Sequence, residues 1–142
     1  MITKLNKGLC GEYAVCSELL KRGYIARITE GNAKGVDIVL YDTKSREYYR
    51  VEVKTTTENK VITGFFQKYY DITEDAPDYW IFVYIDKDLN NYYYIMTHDE
   101  VCQLQMQRNN MTYYHKVKGC DNLLIKDLES FKDNWNIFDF LL

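Results

Sequence analysis

Histidine is nearly missing from this chain: His98 and His115 are the only two, with no His-x-x-His spacing and no Cys/His cluster around either. That argues against the common histidine-based metal centres and leaves both as structural or surface groups. The four cysteines, Cys10, Cys16, Cys102 and Cys120, form no CxxC pair. They read as buried thiols in a reducing compartment rather than as a disulfide framework or a zinc site. No apolar run approaches membrane-spanning length, and the opening MITKLNKGLC lacks the apolar core of a secretory signal. A cytoplasmic protein with no membrane contact is therefore expected. Proline occurs once, at Pro77, and long polar tracts are absent. With 46% apolar residues in 142, the chain suits a single domain over residues 1–142 whose core needs no staple.

An excess of positive charge is missing too. The formal charge of −3 argues against a protein that coats polyanions through many phosphate contacts. The charge is uneven, however. Residues 1–60 carry 11 Lys/Arg against 8 Asp/Glu, a net of +3, and residues 61–142 carry 7 against 13, a net of −6. A local basic surface in the first part remains compatible with the total. What is abundant is tyrosine, with 14 residues, whose rings serve for core packing or for stacking on bases.

The stretch that organises the rest is GVDIVLYDTKSREYYRVEVKTTT, Gly35 to Thr57. It reads as strands Val36 to Tyr41 and Glu47 to Thr55 joined by a turn over Asp42 to Arg46. Side chains alternate along a strand, so Glu52 and Lys54 share one face and Val51 and Val53 the other. Ions on a buried-looking strand are costly unless paired or bound to a metal. If the Asp37 and Glu52 carboxylates converge, Mg²⁺ is the natural counter-ion, since it takes one or two carboxylates and fills its shell with water and phosphate oxygens. Asp37 could instead cap a turn or pair with Lys54.

Upstream, Asn6 to Arg22 fits a helix ended by Gly23. On a helical wheel Leu5, Leu9, Cys16 and Leu19 fall within about 60° of Glu12. Glu12 is thus an acid within an apolar stripe, either for a site or as a helix-edge residue whose head reaches water.

The combination resembles the PD-(D/E)XK nucleases, the restriction-endonuclease-like superfamily, in which an Asp begins one strand of a hairpin and an acidic-X-Lys triplet lies on the next. Asp37 and Glu52-Val53-Lys54 match that pattern with fourteen residues between the acids. The Gly11-Glu12 pair resembles the helical acid of the Holliday-junction-resolvase-like branch, while Gly35-Val36 stands where the family usually has a proline. The resemblance implies an α/β fold, a restriction-endonuclease-like mixed central sheet flanked by helices, and metal-dependent hydrolysis of DNA phosphodiesters. It assigns Asp37 and Glu52 to Mg²⁺, for which Mn²⁺ can substitute, with the Val53 carbonyl as a further ligand and Glu12 on the same or a second ion. Lys54 would orient or deprotonate the attacking water and offset charge in the transition state. DNA is the implied partner, and a homodimer would supply two cuts. The alternative is a catalytically silent nucleic-acid-binding or assembly module of the same fold.

Weaker substrate-binding candidates are Asn32 and Lys34 in the loop before Asp37, the hydroxyls of Thr55 and Thr56, and Gln67 and Lys68 in the aromatic stretch Val61 to Ile72. Solvated loop residues and strand-favouring threonines are the plainer readings. Tyr24 to Ile28 is expected as an edge strand. Tyr79 to Ile85, a nearly unbroken apolar run, is expected as a central strand covered on both faces, with Tyr92 to Met96 as its hairpin partner. Thr97 and Glu100 have capping-box spacing for a helix to Arg108 that buries Val101, Leu104 and Met106. A short extended piece is expected around Met111 to Val117. Asp127 is expected to cap a helix over Leu128 to Trp135, and the apolar tail Phe138 to Leu142 must be covered.

Overall fold

A computed structural model gives the fold of the chain. It describes residues 2–29, 36–69, 75–109 and 121–142, the side chains of Gln67 and Lys68 excepted. Asn32, Lys34, Cys120, His115 and the 111–117 segment lie outside the described residues.

The first helix, α1 (Lys4–Lys21), is capped by the Thr3 hydroxyl, which accepts from the Asn6 N–H at 3.2 Å. It closes two residues past its end at Gly23, whose φ of 91° is the left-handed conformation that glycine adopts without strain. The chain then forms strands β1 (Ile25–Ile28), β2 (Ile38–Asp42) and β3 (Glu47–Thr56), which pair antiparallel in that order. Strand β5 (Tyr79–Ile85) lies parallel to β3, and β6 (Asn91–Thr97) returns antiparallel to it. The result is a five-stranded mixed sheet in the order β1-β2-β3-β5-β6, flanked by helices.

A parallel pair cannot be joined by a tight hairpin and needs a crossover of a dozen residues or more. The β3-to-β5 crossover carries β4 (Lys60–Ile62) and a short helix α2 (Phe65–Tyr69), and β4 pairs with a distant strand β7 (Asn122–Leu124). Its composition gave no clear periodicity, yet it builds one wall of the cleft described below.

Each sheet face carries its own core. On one, Val15 and Leu19 of α1 meet Ile38, Leu40, Val51, Val53, Ile81 and Val83. On the other, Val61, Phe65, Phe66 and Leu123 meet Trp80, Phe82 and Met96 under helix α3 (His98–Arg108). The expected capping box is present at α3, with the Thr97 hydroxyl accepting from the Glu100 N–H and the Glu100 carboxylate from the Thr97 N–H. Val101 and Met106 are buried as expected, whereas Leu104 is only half-buried and Gln105 is fully enclosed. Gln105 donates to the Asn122 carbonyl at 3.2 Å and shares a hydrogen bond with the Thr63 hydroxyl.

Three expectations are corrected. Leu5 and Leu9 are 73% and 40% exposed, so the buried arc of α1 is Gly11, Val15, Cys16 and Leu19 and Glu12 stands at its border. Cys16 is buried and Cys102 half-buried, but Cys10 is exposed; all three are free thiols. Asp127 caps no helix over Leu128 to Trp135: the C-terminal region forms two 3-10 segments, Ile125–Phe131 and Trp135–Leu141. Trp135, Phe138 and Leu141 recur every three residues, the period at which 3-10 side chains eclipse, and all three are buried. The tail is held by the Tyr24 hydroxyl, which donates to Asp139 at 2.7 Å, and by Arg22 stacked 4.4 Å over the Trp135 ring. His98 is structural, with its Nδ1 accepting from the Trp80 indole at 3.1 Å. No helix among the described residues is long and apolar enough to cross a membrane.

Candidate functional site

Strand β2 leaves β3 early. Its last paired residue on this side is Ile38, opposite Val51, while β5 follows β3 as far as Thr56. From Glu52 onward β3 therefore presents an edge that β2 does not cover. Asp37, one residue before β2, closes the first part of that gap. Its backbone is fixed on both sides: its N–H donates to the Val51 carbonyl at 3.0 Å, and its carbonyl accepts from the Thr29 N–H at 2.9 Å. Its carboxylate then replaces the missing strand partner, accepting from the Val53 N–H at 2.7 Å. Since the Val51 carbonyl points to this edge, alternation points the Val53 carbonyl to it as well.

Glu52 and Lys54 project from the sheet face opposite α1, beside Trp80 and Phe82. Glu52 is buried, and its Oε1 lies 3.1 Å from the Lys54 Nζ. A carboxylate so enclosed is expensive without such a partner. Glu12 reaches the same edge from α1. The helix comes close here because residue 11 is glycine: a Cβ on Gly11 would overlap the Thr55 side chain.

Glu12, Asp37, Glu52, Val53 and Lys54 thus line one cleft of about 570 Å³, together with Thr55 and Thr56. The Thr55 hydroxyl is buried without a hydrogen-bond partner among the described residues. The Thr56 hydroxyl is engaged in its own hairpin, donating to the Lys60 carbonyl at 2.7 Å and accepting from the Glu58 N–H at 3.1 Å. These threonines shape the wall of the cleft.

The acids crowd one another most at Asp37. Asp37 is pushed up to about 6, first by burial and then by Glu12, whose carboxyl group lies within hydrogen-bond reach; the Val53 N–H and the Lys54 charge oppose the rise. Two carboxyls this close require a shared proton or a cation between them. Among the described residues, no three His, Cys, Asp or Glu side chains are arranged as a ready-made metal site. The Glu12 and Asp37 pair does suit an ion that takes one or two carboxylates and completes its shell with water and phosphate oxygens.

Sequence reasoning missed four groups on the walls, namely Lys4, Lys7, Glu58 and Lys60, together with Ile62. The two α1 lysines face one way at i, i+3 spacing, a signal available in the sequence; Lys60 and Ile62 became visible only once β4 was placed. Tyr69 was missed as well. Its buried phenol is pushed up to about 12, first by burial and then by the charges of Glu52 and Asp37, so it stays protonated behind the acids.

No protein-family model matches the sequence, and no curated protein matches it. Among solved structures the chain is similar to a bacterial homing endonuclease, I-Ssp6803I, with a TM-score of 0.66 over 97% of this chain and 92% of that one, at 14% sequence identity. At that identity the likeness is one of fold. It does not single out the Holliday-junction-resolvase-like branch.

Proposed function

We propose that the chain is a divalent-cation-dependent DNA endonuclease of the PD-(D/E)XK type, with Glu12, Asp37, Glu52 and Lys54 as its working residues. The observation that carries the reading is the pressed pair of Glu12 and Asp37 carboxyls at the open edge of β3, beside the Glu52–Lys54 ion pair. The fold likeness to a homing endonuclease supports it.

Glu12 and Asp37 would hold Mg²⁺ or Mn²⁺, with the Val53 carbonyl at hand on the same edge and Glu52 available when Lys54 turns to substrate. Such an ion, when bound, neutralises charge on the transferring phosphoryl group and acidifies water. The Val53 N–H fixes the Asp37 carboxylate. Glu52 keeps the Lys54 ammonium at the cleft floor, where it can offset the negative charge that develops on the attacked phosphate. Burial of this group on one side of the sheet limits competing water and strengthens each charge–charge contact.

The test is cleavage of supercoiled and linear duplex DNA by purified protein with Mg²⁺, with Mn²⁺ and with EDTA, in parallel with Lys54→Ala. Cation-dependent cutting that falls by on the order of 100-fold or more in Lys54→Ala is expected. Equal cutting by both proteins would move the chemistry elsewhere. Duplex binding with no cutting under any cation would make the chain a silent binding module of the same fold.

A further inference from the structure

The cleft is polarised. Its floor holds Glu52, Asp37 and Glu12, buried or half-buried, whereas the lysines at its mouth are turned outward, Lys4 and Lys60 exposed and Lys7 half-buried. The rim lysines come from two separate walls, Lys4 and Lys7 from the first turns of α1 and Lys60 from β4. None of the three ammonium groups is in an ion pair among the described residues.

The β4 wall is built to hold its shape. The Thr56 hydroxyl bridges the 57–59 turn by bonding both the Lys60 carbonyl and the Glu58 N–H, and β4 is laced to β7 from Lys60 to Ile62. Val61 faces the core, so Lys60 and Ile62 face outward together. Ile62 is 72% exposed and lines the cleft. An outward isoleucine two residues from an outward lysine offers a sugar or base edge an apolar contact beside a phosphate contact.

We propose that this rim is a two-walled clamp for duplex DNA: Lys4 and Lys7 take backbone phosphates on the α1 side, Lys60 takes one on the β4 side, and Ile62 packs against the deoxyribose or base edge next to it. The clamp rests on the nuclease reading for its ligand and gives that ligand a path across the acids. Phosphate contacts position a duplex without reading it, so Lys4, Lys7 and Lys60 set register while Ile62 is the rim group that can sense groove shape. Glu58, exposed on the same hairpin, opposes the phosphate bound by Lys60.

The two kinds of contact have different salt signatures. Each phosphate held by a lysine contributes about 0.9 to the slope of log affinity against log salt, and an apolar contact contributes nothing to it. The experiment is fluorescence anisotropy of a labelled duplex from roughly 50 to 300 mM KCl, in EDTA so that no cutting intervenes, with circular dichroism to verify that each variant is folded. Lys4→Gln, Lys7→Gln and Lys60→Gln should each weaken binding about 3- to 10-fold and lower the slope by about one. Ile62→Ser should weaken binding by a similar factor with the slope unchanged. Glu58→Gln should tighten binding. Wild-type affinity and slope in the three folded lysine variants would overturn the clamp, as would a wild-type protein that does not bind duplex DNA. Lysine-dependent binding with no cutting would retain the clamp and sink the nuclease reading; cutting with lysine-independent binding would do the reverse.

Discussion

Strand β2 has an aspartate at each end, and the two are treated in opposite ways. Asp42 closes the hairpin: its carboxylate accepts from the Lys44 N–H at 3.0 Å and from the Ser45 hydroxyl at 2.9 Å, and these donors hold its carboxyl below the usual range. Asp37 receives one backbone N–H, is partly buried, faces Glu12, and is raised to about 6. The first charge is solvated by the fold and steadies a turn. The second is crowded by it. A fold that keeps a crowded acid at a strand end, with its backbone clamped from both sides, bears an electrostatic cost there, and that cost is what motivates the proposed cation site.

The largest expected effect separates these two residues by activity. Asp37→Asn keeps an oxygen for the Val53 N–H and removes the charge, so cutting should fall by on the order of 10²–10³-fold while the fold persists. Asp42→Asn should leave cutting within about twofold of wild type, because it lies at the far end of the strand, and should lower the melting temperature by weakening the turn. Cleavage rates and thermal melts of both variants check this. Similar loss of cutting in the two would mean that β2 acts as a unit and that the contrast is one of degree.

Next in size is the seam that brings Glu12 to Asp37. A methyl at Gly11 overlaps the Thr55 side chain, and Thr55 sits on a strand paired to β5 that cannot easily yield. Gly11→Ala should cost about 1–3 kcal/mol, as overpacking in a close-packed interior does, and should also reduce cutting by moving Glu12. Removing the Thr55 hydroxyl and methyl in Gly11→Ala/Thr55→Ala should recover part of the stability. Denaturant melts of the two single variants and the double one measure that coupling. Additive losses would show that helix and strand do not meet at this point.

That seam also marks where the sequence stopped being legible. Alternation on β3 was enough to put Glu52 and Lys54 on one face, the apolar run was enough to read Tyr79–Ile85, and the capping box at Thr97 is local chemistry; each needs only neighbours in sequence. A helical wheel gives the phase of the apolar residues on α1, but the arc that is buried depends on which residue can approach the sheet. Here Gly11 does, which leaves Leu5 and Leu9 in solvent. Nothing local marks Gln105 as buried, because its partners, Thr63 and Asn122, are 42 and 17 residues away. The β4 wall with Lys60 and Ile62 was hidden for the same reason, since β4 exists only through pairing with β7.

The smallest effect concerns pH, and its sign follows from which state holds the proton. Asp37 has an ordinary value of 3.8 and about 6 in the fold. Between these values the folded chain keeps a proton that the unfolded chain has released. The associated stability is complete below 3.8 and is lost as pH rises through about 6. Asp42 runs the other way: lowered in the fold, it contributes stability above its ordinary value of 3.8 that is lost as pH falls through the lowered one. Because Asp37 is partly exposed, solvent screening leaves about 1 kcal/mol of its shift as stability. In EDTA, the melting temperature of wild type should therefore fall relative to that of Asp37→Asn between about pH 4 and pH 7. Saturating Mg²⁺ or Mn²⁺ should abolish the fall by supplying the charge that the proton supplied. Asp42→Asn should leave that window as it is and alter only the acid limb. A wild-type minus Asp37→Asn difference that stays level from pH 4 to pH 7 would mean that neither burial nor Glu12 raises Asp37 in solution, and the electrostatic reason for placing a cation beside it would go with that.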